Sequence, residues 1–168
     1  MADMNRKILM APWRMTYLEG PKVTDCFICK AFNEHDDEAN LVVARGVRIA
    51  VMLNRYPYVS GHIMIVPASH VASFSQLPQE DLNELAHFIP VTERALRIAY
   101  SPDGFNIGVN LGEAAGAGLK DHLHVHMIPR WNGDTNFMTT CGDVRVIPEA
   151  LGQTWRKLTD LFTQLRKD

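Results

Sequence analysis

The chain has 168 residues, of which 46% are hydrophobic and 21% charged, and its net charge is −2. This length and balance suit one globular domain with its own core, and the weak net charge excludes a general attraction to nucleic acid or to an anionic membrane. No apolar run reaches the ~18 residues of a membrane helix, the first residues lack the apolar centre of a secretory leader, and three cysteines do not make a disulfide framework, so a cytoplasmic protein is expected.

Residues 1–25 show no periodicity and read as an N-terminal arm, with Trp13 and Tyr17 docked on the body. Cys26 and Cys29 form a C-x-x-C pair. In an intracellular chain such a pair is redox-active or binds zinc. The redox reading requires a helix N-terminus in a thioredoxin-like βαβ frame, which the pattern does not offer. Glu34 to Glu38 reads as a solvated acidic loop. Leu41–Ala44 and Val47–Leu53 are rich in branched residues and flank Arg45-Gly46, which predicts a hairpin. His62–Val66 predicts another strand, ended by Pro67.

Pro78–Tyr100 predicts the longest helix. Pro78 suits a first turn, Glu80 and Asp81 complement the helix dipole, and Leu82, Leu85, Ala86, Ile89, Leu96 and Ala99 recur near helical spacing. Pro90 is expected to kink or split it. Phe105–Leu111 predicts a strand that runs into Gly112–Gly118, a loop of small residues, and Leu123–Ile128 predicts the next strand. Pro148–Arg166 predicts an amphipathic terminal helix with Leu151, Trp155, Leu158, Leu161, Phe162 and Leu165 on one side. Strands adjacent in sequence and interrupted by one long helix favour an α+β antiparallel sheet over a doubly wound parallel one.

His122, His124 and His126 alternate with Leu123, Val125 and Met127. In a strand, alternate side chains share a face, so three imidazoles would project together and the apolar residues would enter the core. Three such rings can bind a metal. They can also attack phosphorus: imidazole titrates near neutrality, and a ring whose tautomer is fixed by a backbone carbonyl presents its other nitrogen as a nucleophile. Gly116, Ala117 and Gly118 carry little or no side chain, so their amides can approach anionic oxygens, four residues before the row. Elsewhere, His87 reads as a surface or core histidine and His62 as one packed beneath the sheet. Trp131 suits a dimer contact or a ligand contact, and Cys141 stands apart.

At this point the chain resembles the histidine triad (HIT) superfamily. The resemblance is carried by His122-x-His124-x-His126, by Leu53–Pro67, by Phe105–Gly112 and by Pro129–Phe137. With Pro12-Trp13-Arg14-Met15, the last block is most similar to bacterial diadenosine tetraphosphate phosphorylases. The resemblance implies one HIT domain over 1–168, with an arm at 1–25, a core at 26–137 and a C-terminal extension carrying a helix at 138–168. It implies an antiparallel sheet with the long helix packed on it, and commonly a homodimer. His124 matches the nucleophile and His126 the residue that hydrogen-bonds the phosphate or departing group. Asn54 matches a ribose ligand, and Asn110 with the Ala117 and Gly118 amides matches the phosphate cradle. Phe27, Ile28, Phe32 and Leu53 would form the purine slot. By resemblance, His70 and His122 would close a structural zinc site begun by Cys26 and Cys29. One departure is that Gly118-Leu119-Lys120-Asp121 stands where many members carry Gln or Ser, with Lys120 as a possible substitute donor.

The expected function is cleavage of a dinucleoside polyphosphate such as diadenosine tetraphosphate through a nucleotidyl-His124 intermediate, with inorganic phosphate as acceptor. Two alternatives stand beside it: a hydrolase of dinucleoside polyphosphates or nucleoside phosphoramidates that uses water, and a nucleotide-binding module without turnover. None of these readings involves nucleic acid or a membrane.

Overall fold

The computed structural model describes residues 26–135 and 147–165. The expectations for Trp13, Tyr17, the Pro12–Met15 motif and Cys141 fall outside these residues. Five strands form one sheet: β1 (Val42–Arg45), β2 (Ile49–Leu53), β3 (Ile63–Pro67), β4 (Gly104–Gly108) and β5 (Val125–Arg130). Their order is β1-β2-β3-β5-β4, and every neighbouring pair is antiparallel. Among the described residues there are three α-helices: α1 (Phe27–Glu34), α2 (Gln79–Tyr100) and α3 (Leu151–Leu165). The α+β expectation holds.

The period of two divides the sheet into two working faces. Ile49, Val51, Leu53, Ile63, Ile65, Val125 and Met127 form one apolar cluster with Leu85, Phe88, Ala95 and Leu96 of α2 and with Leu158 and Phe162 of α3. Ala50, Met52, Met64 and Val66 face the other way and pack with Ile28 and Ala31 of α1. A bulge between Val42 and Ala44 puts Val43 and Ala44 together on the α2–α3 side. Trp155 anchors α3 by donating its indole N–H to the Val42 carbonyl at 2.8 Å. Near the start of α3, Glu149 accepts from the Tyr100 hydroxyl at 2.5 Å and from Thr154 Oγ1 at 2.8 Å. Among the described residues no helix is long and apolar enough to cross a membrane.

Several boundaries differ from the expectation. α1 was not foreseen, because eight residues are too few for periodicity to separate a helix from a loop. Pro90 does not split α2, which runs as one helix of 22 residues. Pro90 and Ala86, whose carbonyl loses its helical donor, are both exposed, so water can satisfy that carbonyl. The strand expected at 105–111 ends at Gly108, the last residue paired with β5. The strand expected at 123–128 starts at Val125 instead, where the β3 pairing ends at Ile65.

The β1–β2 turn depends on α2. Glu84 accepts from the Val47 amide at 2.7 Å and the Arg48 amide at 2.9 Å. A Cβ on Gly46 would collide with the Glu84 carboxylate and lie 2.7 Å from the Phe88 ring. Gly46→Ala should therefore expel Glu84 and destabilise the fold by about 1–3 kcal/mol, read from urea unfolding. In an Glu84→Ala background the same change should cost clearly less, because the displaced carboxylate is gone. Equal costs in both backgrounds would show that Glu84 is not the obstacle.

Candidate functional site

The site lies on the α1 side of the sheet, at the end where β3 and β5 part. Val125 and Met127 enter the core, so His126 emerges on the opposite face. His124 precedes the strand, yet its ring stands 4.9 Å from that of His126, at an interplanar angle of 81°. His124 Nδ1–H donates to the His122 carbonyl at 2.8 Å. That bond leaves the lone pair on Nε2, the tautomer a nucleophile requires.

His122 does not simply continue the row. Its ring is 1% exposed, and Nε2 donates to the Pro67 carbonyl at 2.8 Å. Nδ1 is turned into a cluster with Cys26, Cys29 and His70, whose ligand atoms all lie within 4.8 Å of one another. His122 Nδ1 is 3.2 Å from Cys26 Sγ, 3.6 Å from Cys29 Sγ and 3.2 Å from His70 Nδ1. Cys29 Sγ is 3.2 Å from His70 Nδ1. Burial holds the His122 imidazole below its ordinary pKa, which keeps a lone pair for a ligand. Burial and the adjacent Cys26 push the Cys29 thiol up to about 11.

The C-x-x-C pair does sit at a helix N-terminus, contrary to expectation: Cys26 is the N-cap of α1 and Cys29 lies in its first turn. Among the described residues no βαβ frame accompanies it, since every strand pair there is antiparallel. The loop holding His70 is fixed by its neighbour. Ser69 Oγ–H donates at 2.6 Å to Asp81, which is 1% exposed and also faces Arg48 at 3.5 Å.

The expected nucleotide contacts divide. Asn54 follows β2 and is half-buried, and its Oδ1 accepts the Tyr56 amide at 2.9 Å. Asn110 is half-buried in the segment after β4. The small-residue loop contains a 3-10 turn at Glu113–Ala115. The amides of Gly116 and Ala117 close on the carbonyls of Glu113 at 2.9 Å and Gly112 at 3.3 Å, so the Ala117 donor is engaged within the loop rather than bare. Lys120 is exposed. In the expected purine slot, Ile28 and Phe32 pack on the histidine face and Phe27 is 41% exposed on α1. Leu53 is a correction: it belongs to the α2–α3 cluster, on the opposite face. The period of two gives that place to Met52, which packs beside Ile28.

His62 is a second correction. It is 1% exposed, but it joins the site: Nε2 lies 3.0 Å from His126 Nδ1, and Nδ1 accepts the Tyr58 amide at 3.1 Å. Its parity with Met64 and Val66 was a usable signal, but only the β3–β5 register, Met64 opposite His126, brings it to the triad. Trp131 donates its indole N–H to the Tyr100 carbonyl at 3.2 Å, a contact within the chain. His87 is exposed and meets Phe88 edge-on.

Comparison with known proteins agrees with this arrangement. The HIT domain family matches residues 36–133. The AP-4-A phosphorylase of Mycobacterium tuberculosis is 42% identical over 158 residues, covering 89% of this chain and 81% of that protein. Among solved structures, a hypothetical histidine triad nucleotide-binding protein from Sulfolobus tokodaii superposes with a TM-score of 0.68 at 25% identity, covering 84% of this chain and 94% of that one. A Zn-bound histidine triad family protein from Mycobacterium smegmatis superposes with a TM-score of 0.66 at 25% identity, covering 85% and 96%.

Burial, with the neighbouring His124, depresses His126 from 6.5 to about 4. Between those values the unfolded chain binds a proton that the folded chain refuses, so stability should fall as pH drops from about 6.5 to about 4 and be unaffected above that window. The contribution is about 3 kcal/mol at its full extent. His126→Gln should flatten this part of a stability–pH profile from urea titrations. An unchanged slope would mean that His126 is not the refusing group.

Proposed function

Because the chain belongs to the HIT domain family, we propose that it is an enzyme that cleaves a dinucleoside polyphosphate such as diadenosine tetraphosphate through a nucleotidyl-His124 intermediate. The single observation that carries this reading is the 2.8 Å bond from His124 Nδ1–H to the His122 carbonyl, which leaves Nε2 as a fixed lone pair. The similarity to an AP-4-A phosphorylase along 89% of the chain supports the substrate class.

In the proposed reaction, Nε2 of His124 attacks the α-phosphorus, the bond to the β-phosphate oxygen breaks, and ATP departs as an anion. Inorganic phosphate then attacks the adenylyl-histidine, forming ADP and restoring the imidazole. His126 donates a hydrogen bond to the phosphate or the departing group. Asn54 holds the ribose, and Asn110 with the Ala117 and Gly118 amides holds the phosphates. For Ala117 this requires the amide to exchange the Gly112 carbonyl for phosphate oxygen. Ile28, Phe32 and Met52 supply an apolar floor for the base, with Phe27 at its margin.

The cluster of Cys26, Cys29, His70 and His122 would hold zinc. A tetrahedral ion with Zn–N near 2.0–2.1 Å and Zn–S near 2.3 Å needs about 3.3 Å between nitrogens and about 3.6 Å between nitrogen and sulfur. Four of the six pairs, at 3.2 Å between the nitrogens and 3.2–3.6 Å between nitrogen and sulfur, lie close to these edges, and all four atoms lie within 4.8 Å of one another. Four protein ligands leave no open position, so zinc would supply structural tethering of α1 to the site. We also read the protein as a cytoplasmic homodimer. β4 lies at the edge of the sheet with Ile107 47% exposed, a surface on which a second copy could pair.

Rapid-quench intact-mass analysis with diadenosine tetraphosphate should find one adenylyl adduct on His124. Steady-state products in phosphate buffer should be ADP and ATP. AMP irrespective of phosphate would replace phosphorolysis by hydrolysis, and nucleotide binding without any adduct or turnover would reduce the protein to a binding module. His124→Ala should lose on the order of 10³-fold or more in kcat while still binding AMP. Metal analysis of the purified full chain should find about one zinc per chain. Cys26→Ser should lower the zinc content and the melting temperature together, and a wild-type chain without zinc would remove the structural-metal reading.

A further inference from the structure

Arg45 reaches the histidine face of the sheet because β1 is irregular. Val42 packs toward α1, and strict alternation would send Arg45, three residues later, to the opposite side. The bulge between Val42 and Ala44 inserts one residue. Val43 and Ala44 therefore both point to α2 and α3, and Arg45 returns to the α1 side, opposite Ala50. There its side chain is 20% exposed. Nε donates to Asp37 Oδ1 at 2.7 Å, and an Nη2–H donates to the Ala31 carbonyl at 2.6 Å. The guanidinium carbon lies 5.6 Å from the centre of the Phe32 ring.

Each contact bears on the end of α1. Ala31 and Phe32 belong to its last turn, where backbone carbonyls run out of helical donors and where the helix has no basic residue of its own. Arg45 supplies a donor from the sheet. The same cation covers the Phe32 ring within the roughly 6 Å over which a guanidinium is attracted to an aromatic face. Asp37, between α1 and β1, keeps the guanidinium from swinging away. At its other end, α1 places Cys26 and Cys29 beside His70 and His122. The helix is thus engaged at both ends, and the contacts of Arg45 are with the base slot and its turn, not with the histidine row.

We propose that Arg45 is a positioning residue for the nucleoside base: it locks the last turn of α1 and the Phe32 ring in place, and so sets how tightly the base is held without entering the chemistry at phosphorus. This rests on the reading of Ile28, Phe32 and Met52 as the floor beneath the base. A base gripped equally in the ground state and the transition state lowers KM and leaves kcat alone. Loss of Arg45 should therefore appear in binding and not in turnover.

The test titrates the full chain with AMP by calorimetry, alongside steady-state kinetics with diadenosine tetraphosphate. Phe32→Leu should weaken AMP binding by about 5- to 20-fold. Arg45→Met keeps an unbranched stem without charge or donor. It should weaken AMP binding and raise KM by about 5- to 20-fold, with kcat within about 2-fold of the wild type. In a Phe32→Leu background the same change should cost clearly less, because its effect passes through the ring. Asp37→Asn, at a side chain 43% exposed, should weaken AMP binding by about 2- to 5-fold. An Arg45→Met chain that binds AMP as the wild type does would overturn the proposal. So would a fall in kcat at unchanged KM, or an undiminished effect in the Phe32→Leu background. Should Arg45→Met fail to fold, Asp37→Asn decides, and unchanged AMP affinity there would overturn the proposal. A Phe32→Leu chain with wild-type affinity would sink the slot reading and the proposal with it. The stated losses of AMP binding in a chain that turns over no nucleotide would uphold the role of Arg45 and remove the reaction.

Discussion

His122 is the residue on which the site turns, because three of its polar groups are each committed to a different part of the fold. Its Nε2–H is bound to the Pro67 carbonyl, its Nδ1 enters the cysteine–histidine cluster, and its own carbonyl takes the Nδ1–H of His124. A buried polar group without partners is costly, so these three bonds together leave the backbone at 122 one favourable orientation. The tautomer of His124 follows from that orientation. A cation in the cluster would thus act on His124 through one residue, by stiffening a peptide group.

The sheet makes this arrangement possible by dividing labour between its faces. Val125 and Met127 are held in the core under α2 and α3, and their neighbours are thereby forced out on the side of α1. Large apolar side chains on one face fix the strand more firmly than the polar groups on the other could. His126 inherits the rigidity of a packed core while remaining partly exposed. The same logic explains why α1 carries the cysteines. The helix is short, buries Ile28 and Ala31 against Met52 and Met64, and brings both sulfurs to the edge where β3 ends.

The loops are ordered by helix α2 at a distance from the chemistry. Glu84 caps the β1–β2 turn, and Asp81, buried in the first turn of α2, holds Ser69 beside His70. Asp81 lies in the first turn, at the positive end of the helix dipole, where carboxylates are favoured. One helix terminus therefore secures both the far end of the hairpin and the loop that contributes a cluster histidine. At the other end of α2, Glu149 ties Tyr100 to Thr154 of α3, so the long helix is held at both ends.

The sequence alone was enough for whatever depends on periodicity: the antiparallel α+β class, the long helix, the outward alternation of His124 and His126, and the pairing of branched residues in the hairpin. Those features arise between near neighbours, where spacing dictates which side chains share a face. It also carried the C-x-x-C pair with its two histidine partners, by family resemblance and not by spacing. It could not reveal that Leu53 faces away from Ile28, that His62 meets His126, that Pro90 leaves α2 whole, or that the Ala117 amide folds back on Gly112. Each of these is set by register, exposure or a contact between distant segments, and only tertiary structure decides them, because a one-residue slip in strand pairing exchanges the two faces while leaving the local pattern untouched.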